Sequence, residues 1–129
     1  CNLLRLRLWL DEPKYGELAV AMLQRVKELL ERHPGSFGMW MTAMMLAVFP
    51  PKEIAVVGKE WEKWSRSILG RYLPHKVMMA SERGDERYPL LAGKEGGDKT
   101  YIYVCESYAC QMPVDTLEAF AQLVEGKKS

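Results

Sequence analysis

The sequence lacks several features that would assign it to a familiar class. It has no run of about 20 apolar residues, which a membrane-spanning helix needs, and its longest apolar stretch covers only residues 39–49. A formal net charge of +1 leaves no excess of basic residues for a phosphate-binding surface. No complete set of catalytic groups or zinc ligands can be recognised. We therefore expect no membrane or nucleic-acid partner, no metal or other cofactor, and no catalytic residue.

Cysteine is also scarce, with three residues in a chain of 129. An odd number in a chain of this length does not resemble a secreted disulfide scaffold. A hydrophobic share of 48% and a charged share of 27% are typical of a globular protein that folds without cross-links. We therefore expect a reducing compartment, the cytoplasm. The chain begins at Cys1, so we also expect it to be a piece of a longer protein.

Two segments with regular apolar patterns precede residue 33. Residues 2–10 (NLLRLRLWL) are ambiguous, because their leucines fit both the alternation of a strand and the stripe of a helix. The next segment is clearer, since Pro13 is typical of a helix start and the apolar pattern continues to Arg32. The predicted apolar stripe of this helix consists of Leu18, Met22, Val26, Leu29 and Leu30.

A third helix is predicted from Ser36 to the end of the apolar stretch, and it is apolar nearly all round. Such a helix is usually buried on several sides, so we expect it to be covered by a larger assembly or by a second chain. A methionine-rich surface for a flexible partner is the alternative. The candidate interaction residues, through which we also expect self-association, are Trp40, Met41, Met44 and Met45.

The composition changes at Pro50 and Pro51, so we predict two domains, residues 1–49 and residues 50–129. Two short strands are predicted at residues 53–58 and 75–80. A helix over residues 59–72 lies between them, and its predicted apolar side consists of Trp61, Trp64, Ile68, Leu69 and Tyr72. Strand, helix and strand with short loops predict a βαβ unit, whose strands are parallel.

A third strand is predicted over residues 100–104, which are β-branched or aromatic. Alternation places Ile102 and Val104 on one face and Tyr103 and Cys105 on the other. The preceding connection, residues 81–99, is long, and we expect Leu90 and Leu91 to dock it on the body of the domain.

The predicted fold class is therefore α/β: an N-terminal helical hairpin and a third helix, followed by a small, three-stranded, mostly parallel α/β unit. Asp115 and Glu118 predict the capped start of a last helix that runs to Glu125. Residues 126–129 are predicted to be a fraying tail.

The two redox candidates, Cys105 and Cys110, lie at the end of the third strand and in the turn before Pro113. Three interpretations remain open. Both thiols could be small buried packing groups, or they could form a disulfide if the turn is tight enough. With least support, they could contribute to a zinc site, which only His33 and His75 could complete.

The cysteine segment carries a resemblance to a known family. Residues 103–105 (YVC) and 109–114 (ACQMPV), followed by a short helix with Leu117 and Leu123, resemble the C-terminal end of the YyaL-type thioredoxin-domain-containing proteins, also called the spermatogenesis-associated family. The resemblance covers essentially the whole chain. Its other segments are residues 2–5, 11–15, 53–58, 72–77 and 89–94.

That resemblance implies a parent protein with an N-terminal thioredoxin-like domain, followed by an α/α toroid similar to six-hairpin glycosidases and sugar epimerases. This chain would form the toroid's last helices and a small α/β cap. Residues 2–10 would then be helical, and the remainder of the parent chain would cover the third helix. Of the family's motif residues, only Cys105 and Cys110 are carried over as redox candidates, since the other sites would lie upstream of residue 1.

Three functions are therefore considered. The first, which we favour, is a C-terminal structural and interaction domain without independent catalysis. The second is a dithiol/disulfide redox relay through Cys105 and Cys110, although Glu106 and the lack of a nearby cation in the sequence argue against a low thiol pKa. The third is part of a carbohydrate-active enzyme, of the epimerase or glycosidase type, whose site lies upstream.

Overall fold

The computed structural model describes residues 1–125, and the tail predicted at residues 126–129 lies outside the described residues. The chain divides into two units, Cys1–Pro51 and Lys52–Ser129. The first is helical and the second combines a sheet with helices, so the fold is mixed α/β, as predicted. Among residues 1–125 there is no helix with the length and apolar character needed to cross a membrane.

The helical unit has three α-helices within its described residues: α1 (Asn2–Leu10), α2 (Pro13–Arg32) and α3 (Gly38–Val48), with a 3₁₀ turn at Pro34–Ser36 before α3. Residues 2–10 are thus helical, as the resemblance implied. Asp11 has φ 52°, a left-handed conformation that ends α1. The small core of this unit contains Leu4, Ala19 and Leu46, one residue from each helix.

The apolar stripe predicted for α2 is confirmed at Leu30, which is buried, and is wrong at most of its other positions. Leu18, Met22 and Leu29 are exposed, whereas the buried positions of this helix are Gly16, Ala19, Leu23 and Leu30. Close packing against α1 explains the difference, because a Cβ atom on Gly16 would lie 2.6 Å from Cδ of Arg7. Periodicity alone fits both stripes, and the packing of α1 near Gly16 and Ala19 selects the buried one.

The second unit contains a sheet with the strand order β2-β1-β3-β4. Its strands are β1 (Lys52–Val57), β2 (Lys76–Ser81), β3 (Tyr101–Glu106) and β4 (Ala109–Cys110), and its helices are α4 (Trp61–Leu69) and α5 (Leu117–Glu125). β1 and β2 are parallel and are connected through α4, which confirms the predicted βαβ order.

The predicted three-stranded, mostly parallel sheet requires a correction. The sheet in residues 52–125 has four strands, and the β1–β3 and β3–β4 pairs are antiparallel. The fourth strand, β4, has two residues and forms a hairpin with β3. A strand of that length shows no alternation in the sequence, so periodicity could not predict it.

Apolar residues cover both faces of the central strand β1. One face packs against α4 and α5, and the buried residues of this core are Ile54, Val56, Ile68, Ile102, Val104 and Phe120. The other face, with Ala55 and Val57, is covered by Leu91 from the long loop, residues 82–100. The predicted faces of β3 and the docking of Leu90 and Leu91 are therefore confirmed.

The long loop approaches the sheet closely where it carries a glycine. A Cβ atom at Gly96 would lie 2.6 Å from Cγ1 of Val57 and 2.9 Å from the backbone nitrogen of Gly58. Any larger residue would push the loop away from β1, since Cβ atoms do not approach other atoms so closely in folded proteins.

Two predicted helices differ from the structure at their ends. α4 ends at Leu69, before the predicted end at residue 72. Leu69 and Tyr72, which were predicted on its apolar side, are exposed. At α5, the Oγ1 atom of Thr116 accepts a hydrogen bond of 3.2 Å from the backbone nitrogen of Ala119. Thr116 thus provides the side-chain cap that was predicted for Asp115.

We expect the variant Phe120→Ala to destabilise the chain by about 3–5 kcal/mol, because it leaves a cavity between α5 and the sheet. Phe120 is 0% exposed, whereas Tyr72, the control, is 91% exposed. The variant Tyr72→Ala should change the free energy of unfolding by less than about 0.5 kcal/mol. Urea denaturation measures both, and equal effects of the two variants would contradict this packing.

Candidate functional site

The two redox candidates lie opposite each other on the β3–β4 hairpin. Cys105 of β3 pairs with Cys110 of β4, and their sulfur atoms form a disulfide with an S–S distance of 2.04 Å. Next to them, the backbone nitrogen of Gln111 donates a hydrogen bond of 3.0 Å to the carbonyl oxygen of Val104. Of the three arrangements that the sequence left open, the structure therefore contains the disulfide. Cys110 lies in a strand and not in the predicted turn.

The connection between β3 and β4 has only two residues, and both have positive φ angles. Ser107 has φ 51° and Tyr108 has φ 62°. Two left-handed residues in a two-residue hairpin give a turn whose twist matches that of the strands. Glycine or asparagine normally occupies these positions, because other residues pay about 1–2 kcal/mol each for this conformation. The turn therefore needs stabilisation from outside its own residues.

Glu53 of β1 provides that stabilisation. Its Oε2 atom accepts a hydrogen bond of 3.0 Å from the backbone nitrogen of Tyr108, and the backbone nitrogen of Ser107 also donates to the carboxylate. Glu53 is 1% exposed and lies opposite Cys105 in the β1–β3 register. A buried carboxylate thus holds the tip of the hairpin that carries the disulfide.

Burial is the largest influence on the protonation of Glu53, and it raises the pKa of the carboxyl above the ordinary value of 4.5. The Tyr108 amide, the Lys94 ammonium and the Ser107 amide lower this pKa, and the negative charge of Glu106 raises it, but the net direction is upward. The Oε1 atom of Glu53 has no hydrogen-bond partner in the described part of the chain. The folded chain thus favours the protonated carboxyl more than the unfolded chain does.

Lys94 brings a cation to this face of the sheet from the long loop. Burial lowers the pKa of Lys94, and the carboxylate of Glu53 raises it. The Nζ atom also lies 5.6 Å from the centre of the Tyr103 ring. The sequence indicated no cation near the cysteines, because Lys94 lies eleven residues before Cys105. Only the fold of the loop brings it close.

The two cysteine residues differ in exposure. Cys105 is 3% exposed, whereas Cys110 is an exposed residue at the sheet edge. A cleft near the hairpin has a volume of about 40 Å³, which is close to the space of a single water molecule. An organic substrate does not fit there. The chemistry that this arrangement allows is thiol–disulfide exchange at the exposed sulfur.

The candidate interaction residues lie on α3 but do not form one site. Trp40 borders an apolar cleft of about 170 Å³, together with residues from α1 and α2; Met41, Met44 and Met45 lie outside it. Trp40, Met41 and Met44 are half-buried, and Met45 is 51% exposed. α3 buries only Ala43 and Leu46, so the helix is not covered on several sides by the described residues.

Sequence analysis did not identify Glu53 or Lys94 as site residues. A signal for Glu53 was present, because it is the charged residue that directly precedes the apolar run of residues 54–57. A carboxylate beside a buried strand needs hydrogen-bond donors or a cation. Within residues 1–125, no three or more histidine, cysteine, aspartate or glutamate side chains are grouped so that they could hold a metal ion.

The raised pKa of Glu53 gives a testable pH dependence of stability. The native carboxyl keeps its proton at pH values where the unfolded chain has lost it. The contribution of this protonation to the free energy of unfolding is therefore complete below about pH 4.5 and is lost as the pH rises through the native pKa. Glu53→Gln keeps an acceptor for the hairpin amides but does not titrate. The free energy of unfolding of Glu53→Gln minus that of the wild type should therefore increase as the pH rises above 4.5.

Urea denaturation over a pH series measures this difference. Glu106→Gln, which removes a neighbouring exposed carboxylate and keeps Glu53, is the matched control. It should keep the loss of stability with rising pH, shifted to lower pH because the charge of Glu106 raises the pKa of Glu53. A difference between Glu53→Gln and the wild type that stays constant with pH would show that Glu53 keeps its ordinary protonation in the fold.

Reduction of the disulfide should lower the free energy of unfolding by about 2 kcal/mol, because the cross-link closes a short loop and restricts the unfolded chain. Denaturation with and without a reductant gives this number. The double variant Cys105→Ala/Cys110→Ala should be insensitive to the reductant. If the reductant has no effect on the wild-type chain, the disulfide does not contribute to its stability.

Comparisons with protein-family models, with curated proteins and with solved structures found no match. The membership in the thioredoxin-domain-containing family that the cysteine segment suggests therefore stays an expectation.

Proposed function

We propose that this chain is the C-terminal structural and interaction region of a larger, thioredoxin-like protein with an α/α toroid, and that it catalyses no reaction by itself. Its partner is the remainder of the parent chain, which packs on the helical unit. The observation that supports this proposal is the large amount of apolar surface on that unit. The cytoplasm is the compartment that we propose for the parent protein.

The exposed large apolar residues are unevenly distributed along the chain. Nine of the thirteen in the described residues lie in the helical unit: Leu10, Leu18, Val20, Met22, Leu29, Met39, Met45, Val48 and Phe49. Single apolar residues are normal on a protein surface. A concentration in one unit of the chain is typical of a surface that another element covers. Further helices of a toroid are the partner that the sequence resemblance implies.

Methionine oxidation tests this proposal with an internal control. Met39 and Met45 are 75% and 51% exposed in this chain, and Met112 of the second unit is 84% exposed. In the isolated chain all three should react with hydrogen peroxide at similar rates. In the full-length parent protein, Met39 and Met45 should be protected by about tenfold or more, because covered side chains react only through opening of the structure.

Mass spectrometry of peptides measures these rates, and Met112 should remain reactive in both proteins. Because the apolar surface should also cause self-association of the isolated chain, sedimentation must first establish a concentration at which the chain is monomeric. Equal oxidation of Met39 and Met45 in the isolated chain and in the parent protein would overturn the proposed packing.

A second candidate function is thiol–disulfide exchange through Cys105 and Cys110. The asymmetry in exposure favours it, since Cys110 is an exposed residue at the edge of the sheet and Cys105 is a buried one. Disulfides in a reducing cytoplasm are usually transient and serve catalysis or redox sensing. No observation on residues 1–125 supports a carbohydrate-active role. A site for carbohydrate chemistry would have to lie in the rest of the parent protein.

A further inference from the structure

We propose that Glu53 delivers a proton to the Cys105 sulfur, and takes it back, when the Cys105–Cys110 disulfide exchanges with an external dithiol. This inference rests on thiol–disulfide exchange, the second function proposed above, and adds the point of attack and the proton donor. The substrate class is a dithiol, either a small molecule or a pair of cysteines in a protein.

The strand registers place the three groups on one face of the sheet. Glu53 lies opposite Cys105 in the β1–β3 pair, and Cys105 lies opposite Cys110 in the β3–β4 pair. Side chains of directly opposite residues in antiparallel strands point to the same side, with Cβ atoms roughly 4.5–5.5 Å apart. The Glu53 side chain extends towards the tip of the hairpin, where its carboxylate accepts a hydrogen bond from the amide of Tyr108. Glu53 is therefore the acidic side chain directly beside Cys105 across the sheet.

Accessibility decides which sulfur is attacked. Thiolates attack along the S–S axis and need access to one sulfur atom. Cys110 is exposed at the end of the sheet, whereas Cys105 is 3% exposed. An incoming thiolate thus bonds to the Cys110 sulfur, and Cys105 is the leaving group. The leaving thiolate is then formed in a buried site, where an isolated negative charge is costly.

The charges around Cys105 make the proton of Glu53 necessary. An ionised Glu53 would place a second buried negative charge opposite the new thiolate, and the exposed Glu106 adds a third on the adjacent residue. From β2, the residue facing Glu53 is the apolar Val77, and the long loop contributes the cation Lys94. The unpaired Oε1 atom of Glu53 is buried, so no hydrogen bond has to break before it gives or takes a proton.

The reaction is balanced in two steps. In the first, the thiolate of the dithiol forms a bond with the Cys110 sulfur, the Cys105–Cys110 bond breaks, and the Cys105 sulfur receives the electron pair together with the proton of the Glu53 carboxyl. In the second, the other thiol of the reagent loses its proton to solvent and attacks the reagent sulfur of the mixed disulfide, which breaks the bond to Cys110 and releases the Cys110 thiolate. The Cys110 thiolate and the Glu53 carboxylate then each take up a proton from solvent. The dithiol is oxidised to a disulfide, and the protein disulfide is reduced to two thiols.

In the reverse direction the ionised carboxylate of Glu53 removes the proton of the Cys105 thiol. The Lys94 ammonium stabilises the carboxylate of Glu53 that accepts this proton in its ionised form. Two coupled groups that share one proton can transfer it from either group to the other. The buried carboxyl thus links the redox state of the hairpin to its proton content.

The rate of reduction by dithiothreitol tests the inference. The oxidised chain is mixed with dithiothreitol over a series from about pH 4.5 to neutral pH, free thiols are trapped, and mass spectrometry measures the fraction reduced. Each rate is divided by the fraction of reagent thiolate at that pH. In the wild type the corrected rate should fall as the pH rises, because Glu53 loses the proton that it donates.

Glu53→Gln should abolish this fall and should lower the corrected rate at the acidic end by about tenfold or more. Glu106→Gln is the matched control: it removes a nearby exposed carboxylate but leaves the donor, so the fall should persist. Because Glu106 raises the pKa of Glu53, the fall in this variant should move to lower pH. A purely structural role of Glu53 would change the rate but not its dependence on pH.

The outcomes separate the two proposals. If dithiothreitol does not reduce the native wild-type disulfide at any pH in the series, the exchange function itself is wrong. If reduction occurs but the corrected rate of the wild type is independent of pH, the inference about Glu53 is wrong, and this result needs no variant. A pH dependence that is the same in the wild type and in Glu53→Gln would also overturn it. Should Glu53→Gln fail to fold, Glu53→Asp replaces it and should retain a fall with pH.

Discussion

The buried carboxylate of Glu53 connects the central strand of the sheet to the turn of the disulfide hairpin. Ser107 and Tyr108 hold left-handed conformations that are unfavourable for their residue types, and the two amides of this turn donate to a single side chain. Glu53 therefore stabilises the hairpin at the cost of burying an ionisable group. The position of Cys110 depends on this arrangement, since β4 is the edge strand in residues 52–125 and pairs with β3 alone.

The two faces of the sheet have different roles because different elements cover them. α4 and α5 pack on one face and form the larger apolar core, in which Phe120 is completely buried. The long loop covers the other face, where Gly96 allows the backbone to approach β1 and Lys94 lies near Glu53. The ionisable groups Glu53 and Lys94 thus interact on the side of the sheet that the loop covers, away from the helices. Chemistry at the hairpin can therefore be altered with little effect on the main core.

The helical unit and the disulfide unit support different kinds of function. α3 exposes apolar side chains over much of its circumference, and this surface has the character of one that packs against further helices. In the second unit, the exposed edge at Cys110 and the buried Cys105 have the character of a site for thiol exchange.

Local patterns determined the elements of this protein. Proline at a helix start, β-branched strands and the strand–helix–strand order predicted α2, β1, α4, β2 and β3, because each signal depends on residues close in the chain. Tertiary structure decided the buried side of α2, where the approach of α1 at Gly16 selects the small residues. It also decided the antiparallel pairing of β3, the two-residue strand β4, and the site itself. Glu53, Lys94 and Cys105 are far apart in the sequence, and only strand register and loop packing bring them to one face, so no local pattern could indicate their interaction.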